Sequence, residues 1–116
     1  MSDRDDTNEA AAAWISNASI EEVAERLKGA RRVAILTHSK PDGDAVGSTL
    51  ALARALGHIG IKATPAYLNP WPSRFDRVVG ETPIVREHHA MWDEPALKGA
   101  DLVVIADTGS WNQVAD

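Results

Sequence analysis

The sequence predicts an α/β domain with an open, mostly parallel sheet and flanking helices. Two short apolar runs without polar alternation, at residues 33–37 (VAILT) and 102–106 (LVVIA), are typical of buried strands in parallel sheets. A long apolar segment at residues 45–56 follows the first run, after a loop that contains proline and glycine. Strand, helix, strand, a longer connection and a last strand form the βαβ pattern, whose crossovers are right-handed.

The composition fits one compact domain. The chain has 116 residues, of which 44% are hydrophobic and 25% charged. A formal charge of −5 provides no general attraction to nucleic acid or to an anionic membrane, and the absence of cysteine excludes disulfides and thiolate metal sites. Because no stretch resembles a signal peptide or a membrane span, we expect a soluble cytoplasmic protein.

The N-terminal part divides into a tail and the start of the folded domain. We expect residues 1–16 to form an acidic tail with a short Ala-rich helix, and residues 17–116 to form the domain. Ser19 and Glu22 have the spacing of a capping box. The apolar residues that follow recur at helical spacing, which predicts a helix with one buried stripe that ends at Gly29; they are Ile20, Val23, Ala24 and Leu27.

The remaining elements are assigned from breakers and periodicity. The helix at residues 45–56 carries small residues that allow close packing on a sheet, and Gly57 or Gly60 ends it. Pro65 weakens the strand at residues 61–68 and favours an edge position for it. We further expect a short helix at 73–80, irregular or partly helical chain at 81–100, and a buried strand at 102–106.

Acidic residues and one histidine lie where two predicted strands end. His38 follows the first strand, Asp107 follows the last, and Asp42 and Asp44 lie in the loop that leads into the helix. The carboxyl ends of parallel strands share one edge of a sheet, which is where ligands bind in such folds. Three carboxylates brought together repel one another unless a cation lies between them. An imidazole with three carboxylates suits Mn²⁺ or Mg²⁺.

These residues belong to recognisable motifs. THSKPDGDAVGS, at residues 37–48, closely resembles the first motif of the DHH phosphoesterase superfamily. VVIADTGS, at residues 103–110, resembles the second motif, a buried strand that ends in a metal-bridging aspartate. The similarity covers about residues 17–116, implies part of a Rossmann-like DHH domain, and is strongest to the RecJ-like branch of oligoribonucleases and 3′-phosphoadenosine 5′-phosphate phosphatases.

The resemblance implies a metal site and a reaction. By it, His38 and Asp42 would bind one Mn²⁺, Asp44 the other, and Asp107 would bridge the two ions. The two metals would activate a water molecule and hydrolyse a short oligoribonucleotide or a phosphomonoester. No catalytic residue beyond these metal ligands is assigned, and Mg²⁺ is an alternative to Mn²⁺.

The chain also departs from the family pattern. The family's Asp-His-His motif and its substrate-binding domain follow the second motif, whereas this sequence ends nine residues after Asp107. We therefore expect the chain to carry the first half of the metal site and to be inactive alone. Glu87, His88 and His89 resemble the missing motif, but they precede Asp107 and are interpreted as a solvated loop.

Other interpretations of the same residues remain open. Gly43 and Gly47 are compatible with a phosphate-cradling turn without a metal, which would make the chain a non-catalytic nucleotide- or anion-binding module, although carboxylates repel phosphate. Residues 107–110 (DTGS) match the aspartic-protease signature, but the strands that such a fold needs do not follow. Open edges of a parallel sheet also predict self-association.

Overall fold

A computed structural model of the chain describes residues 16–68, 71–86 and 95–108. Its elements, in chain order, are α1 (Ile20–Lys28), β1 (Arg32–Leu36), α2 (Gly43–His58), β2 (Lys62–Tyr67), a 3₁₀ turn (Ser73–Phe75), α3 (Asp76–Val79), β3 (Val85–Arg86), α4 (Pro95–Lys98) and β4 (Leu102–Ile105). The four strands form one parallel sheet in the order β3-β2-β1-β4. The predicted α/β class with an open parallel sheet is therefore confirmed.

Two predictions fall outside the described residues. They are the tail with its Ala-rich helix predicted at residues 1–16, of which the structure describes only residue 16, and the Glu87-His88-His89 segment. The short helix expected at residues 73–80 is confirmed as the 3₁₀ turn and α3. In the part of the chain that the structure describes, no helix is long and apolar enough to cross a bilayer.

Strand β1 forms the centre of the sheet and is buried on both faces. Its residues from Val33 to Leu36 are at most 3% exposed. On one face Val33 and Ile35 pack with Leu56 of α2, and on the other face Ala34 and Leu36 pack with Leu97 of α4. The continuous apolar run in the sequence thus reflects a strand covered from two sides.

Helix α2 covers one face of the sheet beside β1. Asp42 caps it, because its Oδ1 accepts a hydrogen bond from the Ala45 amide at 2.9 Å. The helix is longer than predicted and ends at His58, and Gly60 then takes a left-handed φ of 87°. Its buried stripe consists of Ala45, Val46, Thr49, Leu50, Ala53 and Leu56.

Strand β2 is an interior strand, so the prediction of an edge position is wrong. It pairs with β1 along its length, with Pro65 opposite Ile35, and it pairs with β3 on its other side. The two-residue strand β3 pairs only with Ala66 and Tyr67. Pro65 is tolerated there because the pairing with β3 begins at the next residue, Ala66. No acceptor on β3 therefore needs the N–H that proline lacks.

Helix α1 and strand β4 are less buried than predicted. The capping box is present, since Ser19 Oγ accepts from the Glu22 amide and the Glu22 carboxylate accepts from the Ser19 amide. However, no residue of α1 is buried, and β4 alternates between half-buried and exposed positions, with Val103 47% exposed. The predictions of a buried stripe and a buried strand are wrong because β4 is an edge of the described sheet and an open groove separates it from α1.

Candidate metal centre

The loop after β1 carries His38, and a hydrogen bond determines which of its two ring nitrogens is free to bind a metal. The His38 side chain is 18% exposed, and its Nδ1–H donates to the Ser39 carbonyl oxygen at 2.7 Å. A carbonyl only accepts, so the proton of the neutral ring lies on Nδ1 and Nε2 keeps its lone pair. A hydrogen bond that fixes the tautomer in this way is usual for metal-binding histidines.

Asp42 adds a carboxylate beside that nitrogen. Its Oδ1 lies 3.7 Å from His38 Nε2 and also accepts the Ala45 amide of α2. The hydrogen bond from the Ala45 amide is the main reason that the pKa of Asp42 lies below its usual value; desolvation, the next largest effect, opposes it, and the nearby imidazole of His38 lowers the pKa by less. The N-terminus of α2 therefore keeps this carboxylate ionised and in place.

Asp107 reaches the same point from the last strand. Because β4 runs parallel to β1, with Ile105 opposite Leu36, the chain after β4 leaves the sheet next to His38. Asp107 Oδ2 lies 3.5 Å from His38 Nε2. One ligand atom each from His38, Asp42 and Asp107 lie within 4.8 Å of one another, which is close enough for a single cation to contact all three.

Backbone conformation is strained at this site. Among the described residues, the non-glycine residues with positive φ are Lys40, at 52°, and Asp107, at 58°. A left-handed conformation of an L-residue costs about 1–2 kcal/mol. Lys40 lies in the loop between His38 and Asp42, and Asp107 is itself one of the three clustered residues. Strain of this kind concentrates at functional sites, which supports a role for the cluster.

Thr37, next to His38, has a feature that the sequence does not predict. The sequence places it at the end of an apolar strand, yet its hydroxyl is buried and has no hydrogen-bond partner among the described residues. A buried hydroxyl without a partner is costly unless a water molecule or an ion supplies one. Thr37 directly precedes His38 in the chain, so this unsatisfied hydroxyl belongs to the segment that leads into the cluster. In the sequence, the only indication of this feature is that a polar residue, Thr37, ends an otherwise apolar run.

Asp44 stands apart from this cluster. It lies in the first turn of α2, its side chain is exposed, and it is not one of the three residues whose ligand atoms converge. Of the four ligands that the sequence predicted, the structure thus brings three together. The assignment of Asp44 to a second metal ion stays a prediction.

The chemistry of the donor set fits a divalent cation. One imidazole nitrogen and two carboxylates offer two negative charges and hard oxygen ligands, and at least part of the coordination sphere would remain open to water or substrate. A metal with open positions polarises a bound oxygen ligand, which is the function expected of a hydrolytic site.

Comparisons with known proteins agree with this geometry. The family model described as DHH family, N-terminal domain, matches residues 32–116. The crystal structure of an exopolyphosphatase-related protein from Bacteroides fragilis is similar in fold, with a TM-score of 0.73 and 23% sequence identity. That alignment covers 86% of this chain and 30% of the other, so the chain spans about a third of its structural neighbour. No curated protein sequence is similar enough to count as a match.

The family match covers most of the chain and includes all four residues predicted as metal ligands. Its start at residue 32 leaves the proposed domain boundary at residue 17 a prediction. The parallel sheet, the converging ligand atoms at its carboxyl edge and the family match lead to one conclusion: the chain belongs to the DHH family and contains the N-terminal domain of that family.

Proposed function

We propose that this domain is the metal-binding part of a metal-dependent phosphoesterase of the RecJ-like branch. The observation that carries the proposal is the convergence of His38, Asp42 and Asp107 within 4.8 Å. Membership of the DHH family and the similarity to an exopolyphosphatase-related protein support hydrolysis of a phosphoester or phosphoanhydride. We propose short oligoribonucleotides and 3′-phosphoadenosine 5′-phosphate as substrates.

Each residue of the cluster has a distinct task in this proposal. His38 would bind Mn²⁺ through Nε2, because Nδ1 is held by the Ser39 carbonyl. Asp42 and Asp107 would neutralise the ion, and Asp44 would bind a second one. When bound, the metals supply Lewis acidity and a water molecule of lowered pKa. The buried Thr37 hydroxyl would hold a water molecule of the site in position.

Metal binding by the chain is the direct test. We expect isothermal titration calorimetry to show uptake of Mn²⁺ by the native chain, and His38→Ala or Asp107→Asn to weaken binding by at least about tenfold. Glu21→Gln is the matched control, since Glu21 is an exposed acid on α1 far from the cluster in the chain. Absence of Mn²⁺ uptake, or equal weakening by Glu21→Gln, would contradict the proposal.

Nucleotide binding separates the enzyme from the anion-binding module of the same fold. A phosphoesterase site should bind adenosine 5′-monophosphate much more tightly with Mn²⁺ than in a chelating buffer, because the metal offsets the repulsion between phosphate and the carboxylates. Equal affinity with and without Mn²⁺ would favour the non-catalytic module instead.

A further inference from the structure

We propose that a cavity beside the metal loop binds a second phosphate group of the substrate. The cavity has a volume of about 350 Å³ and is lined by Lys40, Pro41, Trp71, Pro72 and Arg74. The inference rests on the proposed function, in which the metal cluster holds the phosphate that is cleaved. It deepens that function by assigning residues that would recognise substrates with more than one phosphate.

The cavity and the metal cluster share one loop. Lys40 lies two residues after His38 and two residues before Asp42. Two residues of extended chain span at most about 7 Å, so the Cα of Lys40 lies within about that distance of the Cα of either ligand. The opposite wall comes from the segment after β2, which contains Trp71 and Arg74. The loop that would hold the metal therefore also lines this cavity.

The cavity is cationic in an otherwise acidic chain. Its lining contains Lys40 and Arg74 and no carboxylate, and neither cation has a carboxylate partner among the described residues. The nearby Asp76 is already engaged, because its Oδ1 accepts from Trp71 Nε1 at 2.6 Å and from Arg86 Nη1 at 3.2 Å. Two cations without a carboxylate partner in the described part of the chain, next to a loop that carries the clustered carboxylates, fit a phosphate that extends away from the metal.

The walls of the cavity are held in place before any ligand binds. Trp71 packs on Tyr67, with ring centroids 4.9 Å apart, and on Phe75, at 6.3 Å. The Arg74 guanidinium carbon lies 4.6 Å from the centroid of the Phe75 ring, and Pro41 is buried. The aromatic wall is therefore preformed, and binding would have to order mainly the exposed Lys40 side chain. Lysine and arginine donors are the usual partners of phosphate oxygens.

The first test examines the cavity without the metal. We would titrate inorganic phosphate into the ¹⁵N-labelled, metal-free full chain and follow the amides of Lys40 and Arg74 and the Trp71 indole N–H, assigned with Trp71→Phe. We expect saturable shifts of these signals, and at least about threefold weaker binding in Arg74→Gln. Arg77→Gln is the matched control, because Arg77 is an exposed arginine on α3 that does not line the cavity.

Two results of this titration would overturn the proposal. One is the absence of shifts at the cavity. The other is an equal loss in Arg74→Gln and Arg77→Gln, which would indicate general attraction to surface charge. Both arginines are exposed, so folding of the variants is expected and is verified by unchanged amide signals in the buried strand β1.

The second test adds the metal and compares one phosphate with two. With Mn²⁺ bound, adenosine 3′,5′-bisphosphate should bind about tenfold more tightly than adenosine 5′-monophosphate. The variant with both Lys40→Gln and Arg74→Gln should lose this preference and keep its affinity for the monophosphate. A ratio near one in the native chain would overturn the inference.

The two tests separate failure of the inference from failure of the proposed function. If Mn²⁺ does not bind, the proposed function fails, while the metal-free phosphate titration still decides whether the cavity binds phosphate. If Mn²⁺ and the monophosphate bind but the bisphosphate binds no more tightly than the monophosphate, the proposed metal site is supported and the cavity does not bind the second phosphate.

Discussion

At the scale of single residues, the candidate metal centre combines a histidine nitrogen and two carboxylates that come from separate parts of the chain. His38 commits Nδ1 to a carbonyl oxygen and leaves Nε2 facing the carboxylates of Asp42 and Asp107. Thr37 keeps a buried hydroxyl without a partner among the described residues. Asp107 occupies a left-handed conformation that few residue types tolerate. An unsatisfied hydroxyl and an unfavourable backbone conformation thus lie within or next to the candidate metal centre.

The strain at Asp107 is measurable with a pair of substitutions. Asp107→Gly and Asp107→Ala both remove the carboxylate, but only glycine adopts a φ of 58° without a steric penalty. We expect Asp107→Gly to be more stable than Asp107→Ala by about 1 kcal/mol, measured by urea denaturation without metal. Equal stability of the two variants would show that residue 107 is not strained in solution.

A buried hydroxyl pair near α2 also permits a residue-scale prediction. Thr49 Oγ1 and the Tyr67 hydroxyl are 2.6 Å apart in the core, and Thr49 also donates to the Ala45 carbonyl of its own helix. Burial raises the pKa of the Tyr67 phenol, so it stays protonated at neutral pH. If the Tyr67 hydroxyl is removed, Thr49 keeps its hydrogen bond to the Ala45 carbonyl. If the Thr49 hydroxyl is removed, the Tyr67 hydroxyl has no other partner among the described residues.

Replacing each hydroxyl in turn should give unequal losses. Tyr67→Phe leaves Thr49 with a helix carbonyl and should cost about 1 kcal/mol. Thr49→Val leaves the buried Tyr67 hydroxyl unpaired among the described residues, and should cost about 1–3 kcal/mol in urea denaturation. A smaller loss for Thr49→Val than for Tyr67→Phe would contradict the hydrogen-bond assignment.

At the scale of elements, the parallel pairing of β1 and β4 brings His38 and Asp107 together at one end of the two strands, and a carboxylate holds their other end. Asp101, just before β4, accepts hydrogen bonds from the amides of Arg31 and Arg32 at 3.1–3.2 Å. The Arg32 amide first, and the Arg31 amide second, lower the pKa of Asp101. This contact holds the start of β1 to the start of β4.

The lowered pKa of Asp101 predicts a pH dependence of stability. Its contribution is present above the unfolded-state pKa of about 3.9 and is lost as the pH falls through the lower folded-state pKa. Native protein should therefore be more stable than Asp101→Asn at pH 6, and the difference should shrink below about pH 4. Urea denaturation at several pH values measures this, with Glu21→Gln as control. A difference that persists unchanged at pH 2.5 would contradict the assignment.

At the scale of the whole molecule, one side of the sheet is exposed. Strand β4 lies at an edge of the described sheet, with Val103 47% and Ile105 39% exposed. Helix α1 adds Ile20, which is 80% exposed, on the far side of an open groove. An apolar edge strand that lacks charge favours pairing with another strand. Self-association of the chain through this edge stays a prediction.

Light scattering tests self-association. We expect the average mass of the native chain to rise with concentration, and Val103→Lys to reduce that rise because a charge on an edge strand opposes pairing. Val78→Lys is the matched control, since Val78 is 51% exposed but lies on α3. A chain that stays monomeric at high concentration would contradict the prediction.

The features of the fold and of the candidate site that could be predicted are those that short stretches of sequence indicate. The apolar run of β1, the helical spacing in α2 and the order of elements predict a parallel sheet, and polar residues at strand ends predict where ligands converge. The position of β2 could not be predicted in the same way. Pro65 indicates only that one backbone hydrogen bond is missing. Whether a neighbouring strand needs that bond depends on where β3 starts, and its pairing with β2 starts at Val85, opposite Ala66.

The sequence alone determined the parallel α/β class, and it predicted the three residues whose side chains converge, His38, Asp42 and Asp107, because periodicity and ligand chemistry are properties of short segments. Only the tertiary structure decided that Asp44 lies outside the cluster, that the Thr37 hydroxyl has no partner within residues 16–68, 71–86 and 95–108, and that the loop at Lys40 and the residues at Trp71 line one cavity. These features depend on which distant segments pack together and how closely. Packing is set by the whole chain, so no short segment encodes it.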